Sequence, residues 1–77
     1  MRPTAKKVEP LNNYILKIEF DNNEIRFFDV KPYLSKKAFE QIKDYKFFNQ
    51  VKISGLSIAW PNETDICPDE LYNNSYN

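Results

Sequence analysis

The stretch Tyr14–Val30 reads YILKIEFDNNEIRFFDV and decides the fold. Leu16, Ile18 and Phe20 recur at every second position, which is the period of a β-strand with one buried face. A second segment rich in β-branched and aromatic residues follows, and 21–23 between them reads Asp-Asn-Asn. Asn tolerates positive φ better than any residue except Gly, so this tripeptide favours a tight turn. The stretch therefore predicts a β-hairpin.

The composition of the turn predicts a register for this hairpin. A two-residue type I′ turn requires positive φ at both central positions, which we assign to Asn22 and Asn23. That register places apolar residues opposite apolar residues, and one acid opposite one base. The three pairs are Phe20 with Ile25, Ile18 with Phe27, and Glu19 with Arg26. A slip of one residue would break all three pairs. Upstream, residues 5–9 either lengthen the first strand or form a short one.

The segment after Val30 favours helical turns. Ser35 is a candidate N-cap for a helix over 36–43. Its apolar stripe comprises Ala38, Phe39 and Ile42. Asp44 is placed to cap a second short turn over 45–49, with Phe47 and Phe48 turned inward.

The remaining third predicts a second hairpin and a closing helix. Apolar and polar residues alternate over 51–60 around Gly55, and Pro61 ends the ladder because it has no N–H donor. Pro68 suits the first position of a helix. The order β-β-α-β-β-α predicts a small antiparallel sheet built from two hairpins, with short helices packed on one face. We therefore expect an α+β fold.

Composition limits the class of protein. Its 77 residues suffice for a single domain over 1–77, with 1–4 and 73–77 expected to fray. The net charge is zero, so there is no overall attraction to nucleic acid or anionic membrane. No apolar run approaches the roughly 18 residues of a membrane span, and the N-terminus lacks the apolar region of a signal peptide. One cysteine excludes an internal disulfide, which is consistent with a cytoplasmic protein.

The inventory of reactive side chains argues against an enzyme. The chain has no His and a single cysteine, Cys67, so the commonest general base and a Cys–His nucleophile are missing. A single Gly argues against a phosphate-binding loop. Four acids near the C-terminus, Glu63, Asp65, Asp69 and Glu70, suit a hard cation in principle. We interpret them instead as turn and helix-dipole residues, so we expect no metal site, no cofactor and no catalytic residue.

Several short motifs resemble one protein family. They are Phe28-Asp29-Val30, Pro32-Tyr33-Leu34, Trp60-Pro61-Asn62 and the closing segment 65–72, which reads DICPDELY. In this layout the chain resembles the bacterial domain of unknown function family 2442, over nearly its whole length. Asn23 stands where that family often has Gly. The resemblance implies no established activity. Some members look like one half of two-gene toxin–antitoxin-like modules.

Candidate binding residues cluster at the end of the chain. Trp and Tyr dominate binding hot spots, so Trp60 with Pro61, and Tyr72 on the closing helix, are candidates for a docking patch. Asp65 and Asp69 lie beside them in the sequence and complete the predicted partner-binding set. The alternative, which the small size of the domain favours, is that Trp60 and Tyr72 pack on each other and hold the last helix to the sheet.

A second hypothesis concerns nucleic acid. Residues 31–52 contain six Lys against two acids, and Lys43, Lys46 and Lys52 are interleaved with Tyr45, Phe47 and Phe48. Basic and aromatic residues on one face are typical of single-strand binders. We consider this less favoured, because Phe47 and Phe48 suit a core. The sequence therefore predicts a small non-enzymatic protein-interaction module that is monomeric or homodimeric and binds a protein partner. The family resemblance implies that this module is antitoxin-like. A weak nucleic-acid binder is the alternative.

Overall fold

Alternation in the first half of the chain produces three strands. The structure is a computed structural model and describes residues 3–77. β1 (Ala5–Pro10), β2 (Ile15–Phe20) and β3 (Ile25–Asp29) form an antiparallel sheet in the order β1-β2-β3. A tight turn over Asn12–Tyr14 joins the first two strands. The residues upstream of the hairpin thus form a strand of their own, one of the two possibilities left open by the sequence.

The hairpin between β2 and β3 forms, but its predicted register is wrong by one residue. Phe20 N donates to Glu24 O at 2.9 Å, and Asn23 N donates to Phe20 O at 2.9 Å. Asn23 takes positive φ (71°), whereas Asn22 does not. The side-chain Oδ1 of Asn22 accepts a hydrogen bond from Glu24 N at 3.0 Å. The loop is therefore the three-residue type that ends in a left-handed residue. As a result, Glu19 lies opposite Ile25.

The shift exchanges the faces of β3. Phe28 and Val30 lie in the core, at 1% and 0% exposure, while Ile25 is 49% exposed. The predicted pairs of Phe20 with Ile25 and Ile18 with Phe27 do not form.

The predicted ion pair between Glu19 and Arg26 does not form either. Glu19 instead pairs with Lys6 at 3.3 Å, and Arg26 with Glu24 at 3.5 Å. Both changes follow from the length of one loop, since a slip of one residue sends each side chain to the opposite face.

The second sheet is built from three short strands. β4 (Lys52–Ser54), β5 (Ser57–Ala59) and β6 (Asp65–Ile66) are antiparallel in the order β4-β5-β6. Gly55 has φ of +59° and forms the β4–β5 turn together with Leu56, which is 63% exposed rather than part of a strand face. The sequence did not predict β6. The α+β class is confirmed, with two small sheets in place of one.

The helical segments are short. The segment Lys37–Lys43 is a 3₁₀ helix rather than an α-helix, and its N-cap is Lys36 without a side-chain hydrogen bond, so the assignment of Ser35 as the cap is wrong. Side chains three residues apart eclipse in a 3₁₀ helix, which lets Phe39 and Ile42 enter the core together. Ala38, the third residue of the predicted stripe, is exposed.

The other two helices agree with the sequence analysis. Asp44 caps α1 (Tyr45–Phe48), since its Oδ1 accepts from Lys46 N at 3.0 Å. α2 (Pro68–Asn73) begins at Pro68, with its two acids in the first turn.

One core joins the two sheets. Its largest fully buried side chains come from both sheets, α1 and α2, and they include Trp60, Phe20, Phe28, Phe48, Ile58 and Leu71. Among the described residues, no helix is long and apolar enough to cross a bilayer.

Both ends of the described chain are attached to the first sheet. Thr4 Oγ1 donates to Asp21 Oδ2 at 2.8 Å. At the other end, Tyr76 N donates to Phe27 O at 2.8 Å, and Phe27 N donates to Tyr76 O at 2.7 Å. Ser75 is 6% exposed. This differs from the predicted fraying of 73–77. Of the residues 1–4 that were also predicted to fray, 1 and 2 lie outside the described residues.

Candidate functional site

Trp60, the centre of the predicted docking patch, lies in the core. Its side chain is 1% exposed, and its indole Nε1 donates to Phe48 O at 3.0 Å. Its ring packs edge-on against Phe39, with centroids 6.0 Å apart. Burial of the indole with its donor satisfied is the arrangement expected of a structural Trp. A docking patch centred on Trp60 is therefore not what the fold presents.

Tyr72 packs against different residues. Its ring meets Phe20 edge-on at 5.0 Å, and its hydroxyl donates to Glu24 Oε1 at 2.6 Å. Arg26 lies 5.0 Å from the centre of the same ring. Tyr72 thus fastens α2 to the first hairpin, as the alternative interpretation proposed, although the ring it packs on is Phe20 and not Trp60.

The remaining residues of the predicted partner-binding set are at the surface. Pro61, Asp65 and Asp69 are exposed, in the turn after β5, in β6 and in the first turn of α2. With Trp60 in the core and Tyr72 half-buried, the five residues do not form one patch around an exposed aromatic.

Hydrogen bonding sets the electrostatics beside Tyr72. The bond from Tyr72, followed by that from Asn22, holds the pKa of Glu24 below its ordinary value. The Glu24 carboxylate that accepts this bond, and then partial burial, raise the pKa of Tyr72 above its ordinary value. Both shifts favour the ionised acid and the neutral phenol, the forms that make the bond.

Two of the motifs that carry the family resemblance meet in space. Tyr33, from Pro32-Tyr33-Leu34, donates its hydroxyl to the Glu70 carboxylate in α2, and Asn74 Nδ2 donates to Tyr33 Oη at 3.4 Å. Burial, and then the bond to Glu70, raise the pKa of Tyr33. Asp29 Oδ1 accepts from Lys31 N at 2.9 Å, which holds the corner before this segment. These motifs form a joint between β3 and α2.

The surface best suited to binding was not predicted. A cleft of about 420 Å³ opens where the outer face of the first sheet meets β4. Its apolar residues are Val8, Ile25, Val51 and Ile53, and its charged residues are Lys7, Glu9, Lys17, Glu19 and Lys52. The wrong hairpin register concealed it, because that register buried Ile25. The sequence did contain one indication of this cleft, because apolar residues lie on both faces of β3.

The charges of the cleft are ordered by strand pairing. Lys7 lies opposite Glu19, and Glu9 lies opposite Lys17. Opposite charges across strands support the sheet modestly and leave a surface of alternating sign. Ile25 lies next to this pattern, opposite Glu19 on β3.

The edge of β3 is not free to pair with another strand. The backbone of Tyr76 occupies it by bonding Phe27 in both directions. β1 ends in Pro10, which has no N–H donor and makes an edge less able to pair. The face of the first sheet is therefore a better candidate surface than its edges.

The three lysines of the nucleic-acid hypothesis lie on two different surfaces. Lys52 lines the cleft, whereas Lys43 and Lys46 flank Tyr45 near α1. Phe48 is fully buried, and Phe47 is half-buried. Lys52 thus belongs to a different surface from the other two.

The acidic residues and the cysteine in the described part of the chain do not form a candidate metal site. Within residues 3–77, no group of three or more Cys, Asp or Glu side chains is placed to hold a metal ion. Cys67 is exposed at the N-cap of α2, without a side-chain cap bond.

Comparison with known proteins gives one result. A family model described as "Protein of unknown function (DUF2442)" matches residues 5–77. Neither a curated protein nor a solved structure is similar enough to match the chain.

Proposed function

The chain belongs to the family of proteins of unknown function DUF2442, and from that premise we propose that it is a protein-interaction module that docks a partner in the cleft between the first sheet and β4. The observation that carries the proposal is the exposure of Ile25. This side chain is 49% exposed at the start of β3, opposite Glu19, and it lines the cleft together with charged side chains.

The chemistry of the cleft suits a protein better than a small ligand. Protein interfaces combine an apolar centre with a polar rim, and here Ile25 and Ile53 are surrounded by three lysines and two glutamates. A rim of both signs gives specificity, because a wrong partner would place like charges together. The shallow cleft has no buried, unpaired polar group to orient a small substrate.

The partner we propose is a small protein encoded beside this one, in an antitoxin-like two-gene pair in the bacterial cytoplasm. The family resemblance supports this partner. The cleft supports a one-to-one complex, because each chain presents a single surface of this composition among its described residues.

A tagged pull-down from the native bacterium tests the proposal. We expect one small protein to be recovered in a ratio of one to one, identified by mass spectrometry as the product of a neighbouring gene. Repeated recovery of the tagged chain alone would contradict the proposal.

Ile25→Asp supplies the matched test of the surface. It places a charge in the lining of the cleft on a side chain that is already half exposed, so the fold should persist. Leu56→Asp is the control, since Leu56 is 63% exposed at the β4–β5 turn and does not line the cleft. We expect the first variant to lose the partner and the second to retain it.

A further inference from the structure

A second cavity, of about 560 Å³, opens on a different part of the molecule, beside the β1–β2 turn and α1. Its lining is neutral and comprises Pro10, Leu11, Asn12, Asn13, Tyr45 and Asn49. It shares no residue with the cleft proposed for the protein partner.

Tyr45 supplies this cavity with a fixed aromatic surface. It is 47% exposed, whereas all the other aromatic side chains except that of Tyr76 are at least partly buried. Its ring stacks on Tyr14, with centroids 4.6 Å apart and planes inclined by 14°. Tyr14 in turn packs edge-on against the buried Phe48 at 5.3 Å and donates its hydroxyl to Lys43 O. The orientation of the exposed ring is thus set before any ligand binds.

The turn that supports Tyr14 has an uncommon backbone conformation. Asn13 and Tyr14 have φ of 61° and 60°, two successive non-glycine residues in the left-handed region. Asn enters this region readily, but a bulky aromatic residue rarely does. Strain of this kind concentrates at functional sites. Here the conformation places Tyr14 beneath Tyr45.

Three side-chain amides line the same cavity as Tyr45. Within residues 3–77, the amides of Asn12, Asn13 and Asn49 make no hydrogen bond to protein. Each amide offers a donor pair and an acceptor. Lys43 and Lys46, on either side of Tyr45 in sequence, also lack a carboxylate partner in the described part of the chain.

We propose that this cavity binds an unpaired nucleobase with an adenine-like edge, which stacks on Tyr45 and is read by the asparagine amides. Aromatic side chains stack on exposed bases, and an Asn amide matches the adjacent acceptor and donor of adenine. Lys43 and Lys46 provide positive charge for the attached phosphate. The base can come from a free nucleotide or from a single strand, since both present the same ring.

Two arms of one titration distinguish these sources. In the first, a short end-labelled oligoadenylate strand is titrated with the protein at low salt and followed by fluorescence anisotropy. In the second, unlabelled adenosine monophosphate competes for the same site. Displacement by the mononucleotide at concentrations near those effective for the strand identifies a nucleotide site. Binding of the strand without displacement identifies a single-strand site.

Tyr45→Ala tests the site, and Tyr76→Ala is its control, because Tyr76 is equally exposed (47%) but packs on Phe27 elsewhere. Loss of base stacking should weaken binding by about 5- to 150-fold, while the control binds as the unaltered protein does. Asn12→Ala changes an exposed side chain and should weaken binding by about 5-fold or more, even if Tyr45→Ala fails to fold.

Two results would overturn the inference. One is that the strand does not bind at low salt, which leaves nothing for the mononucleotide to displace. The other is binding that weakens with salt but is unchanged in Tyr45→Ala and Asn12→Ala, because that would reflect only attraction of phosphate to lysines.

Discussion

The hydroxyl of Tyr72 donates a 2.6 Å hydrogen bond to Oε1 of Glu24, although the two residues are 48 positions apart in the sequence. Glu24 belongs to the first hairpin and Tyr72 to α2, so the bond joins opposite ends of the chain. Arg26 lies 5.0 Å from the centre of the Tyr72 ring and 3.5 Å from the same carboxylate. Acid, base and phenol together hold α2 to the first sheet.

Tyr72→Phe should change the dependence of stability on pH. The pKa of Glu24 is lowered from 4.5, so its contribution is present above that value and is lost as pH falls through the lowered pKa. The pKa of Tyr72 is raised from 10.0, so its contribution is present below that value and is lost as pH rises through the raised pKa. The variant loses the bond behind both shifts.

We therefore expect Tyr72→Phe to melt at a lower temperature near neutral pH, and its stability to fall less steeply toward acid and toward alkali. Thermal melting across pH measures this. Tyr76→Phe is the control, since Tyr76 is an exposed phenol. Superimposable pH profiles for Tyr72→Phe and the unaltered protein would show that the bond contributes nothing.

Trp60→Ala should destabilise the fold strongly. Removal of a fully buried indole costs about 3–5 kcal/mol, out of a total of about 4–12 kcal/mol for a chain of this length. Chemical denaturation measures the loss, and Leu56→Ala, at the exposed turn, should change stability by less than about 0.5 kcal/mol. A Trp60→Ala variant as stable as the control would place the indole on the surface.

The sequence was informative wherever a local rule determines the conformation. Local preferences predicted the existence of the first hairpin, although not its register. They also predicted Gly55 in the second turn, the cap at Asp44 and the start of α2 at Pro68, and these agree with the structure.

The sequence misled where two arrangements satisfy the same local pattern. β3 has Ile25 and Phe27 on one face and Phe28 on the other, so alternation alone does not choose its inner face. The choice depends on whether the loop has two residues or three, and on packing against distant parts of the chain. The candidate cleft depends on that choice, because it contains Ile25.

The ordered structure of the polar residues 73–77 could not be predicted from composition, for a related reason. Arg26 donates two hydrogen bonds to Ser75. One runs from Arg26 Nε to Ser75 Oγ at 2.6 Å, and the other from Arg26 Nη2 to Ser75 O at 2.8 Å. These contacts span 49 positions of the sequence, and no local pattern announces them.

Removal of residues 75–77 should destabilise the protein. It eliminates the two Arg26 bonds to Ser75 and the two backbone bonds between Tyr76 and Phe27, at about 0.5–1.5 kcal/mol each. We expect a loss of about 2–6 kcal/mol in denaturant unfolding, and fast amide exchange at Phe27 in the shortened chain. Removal of Asn77 alone is the control. Fast exchange at Phe27 in the full chain would mean that the tail is detached.

Ser57→Ala tests a single buried hydrogen bond. Ser57 is 5% exposed, and its Oγ donates to Ile66 O at 2.6 Å, between β5 and β6. Loss of this bond should cost about 0.5–1.5 kcal/mol. Ser54→Ala, at the exposed end of β4, should be nearly neutral. Equal stabilities for the two variants would show that the hydroxyl does not hold β6.

The most direct test of the proposed function measures the affinity of the captured partner for two variants of equal stability. Truncation or charge at an interface centre typically weakens binding more than tenfold, whereas changes outside an interface have little effect. We expect Ile25→Asp to raise the Kd by more than about tenfold and Leu56→Asp to leave it unchanged. Equal affinities for both variants would contradict docking in the cleft between the first sheet and β4.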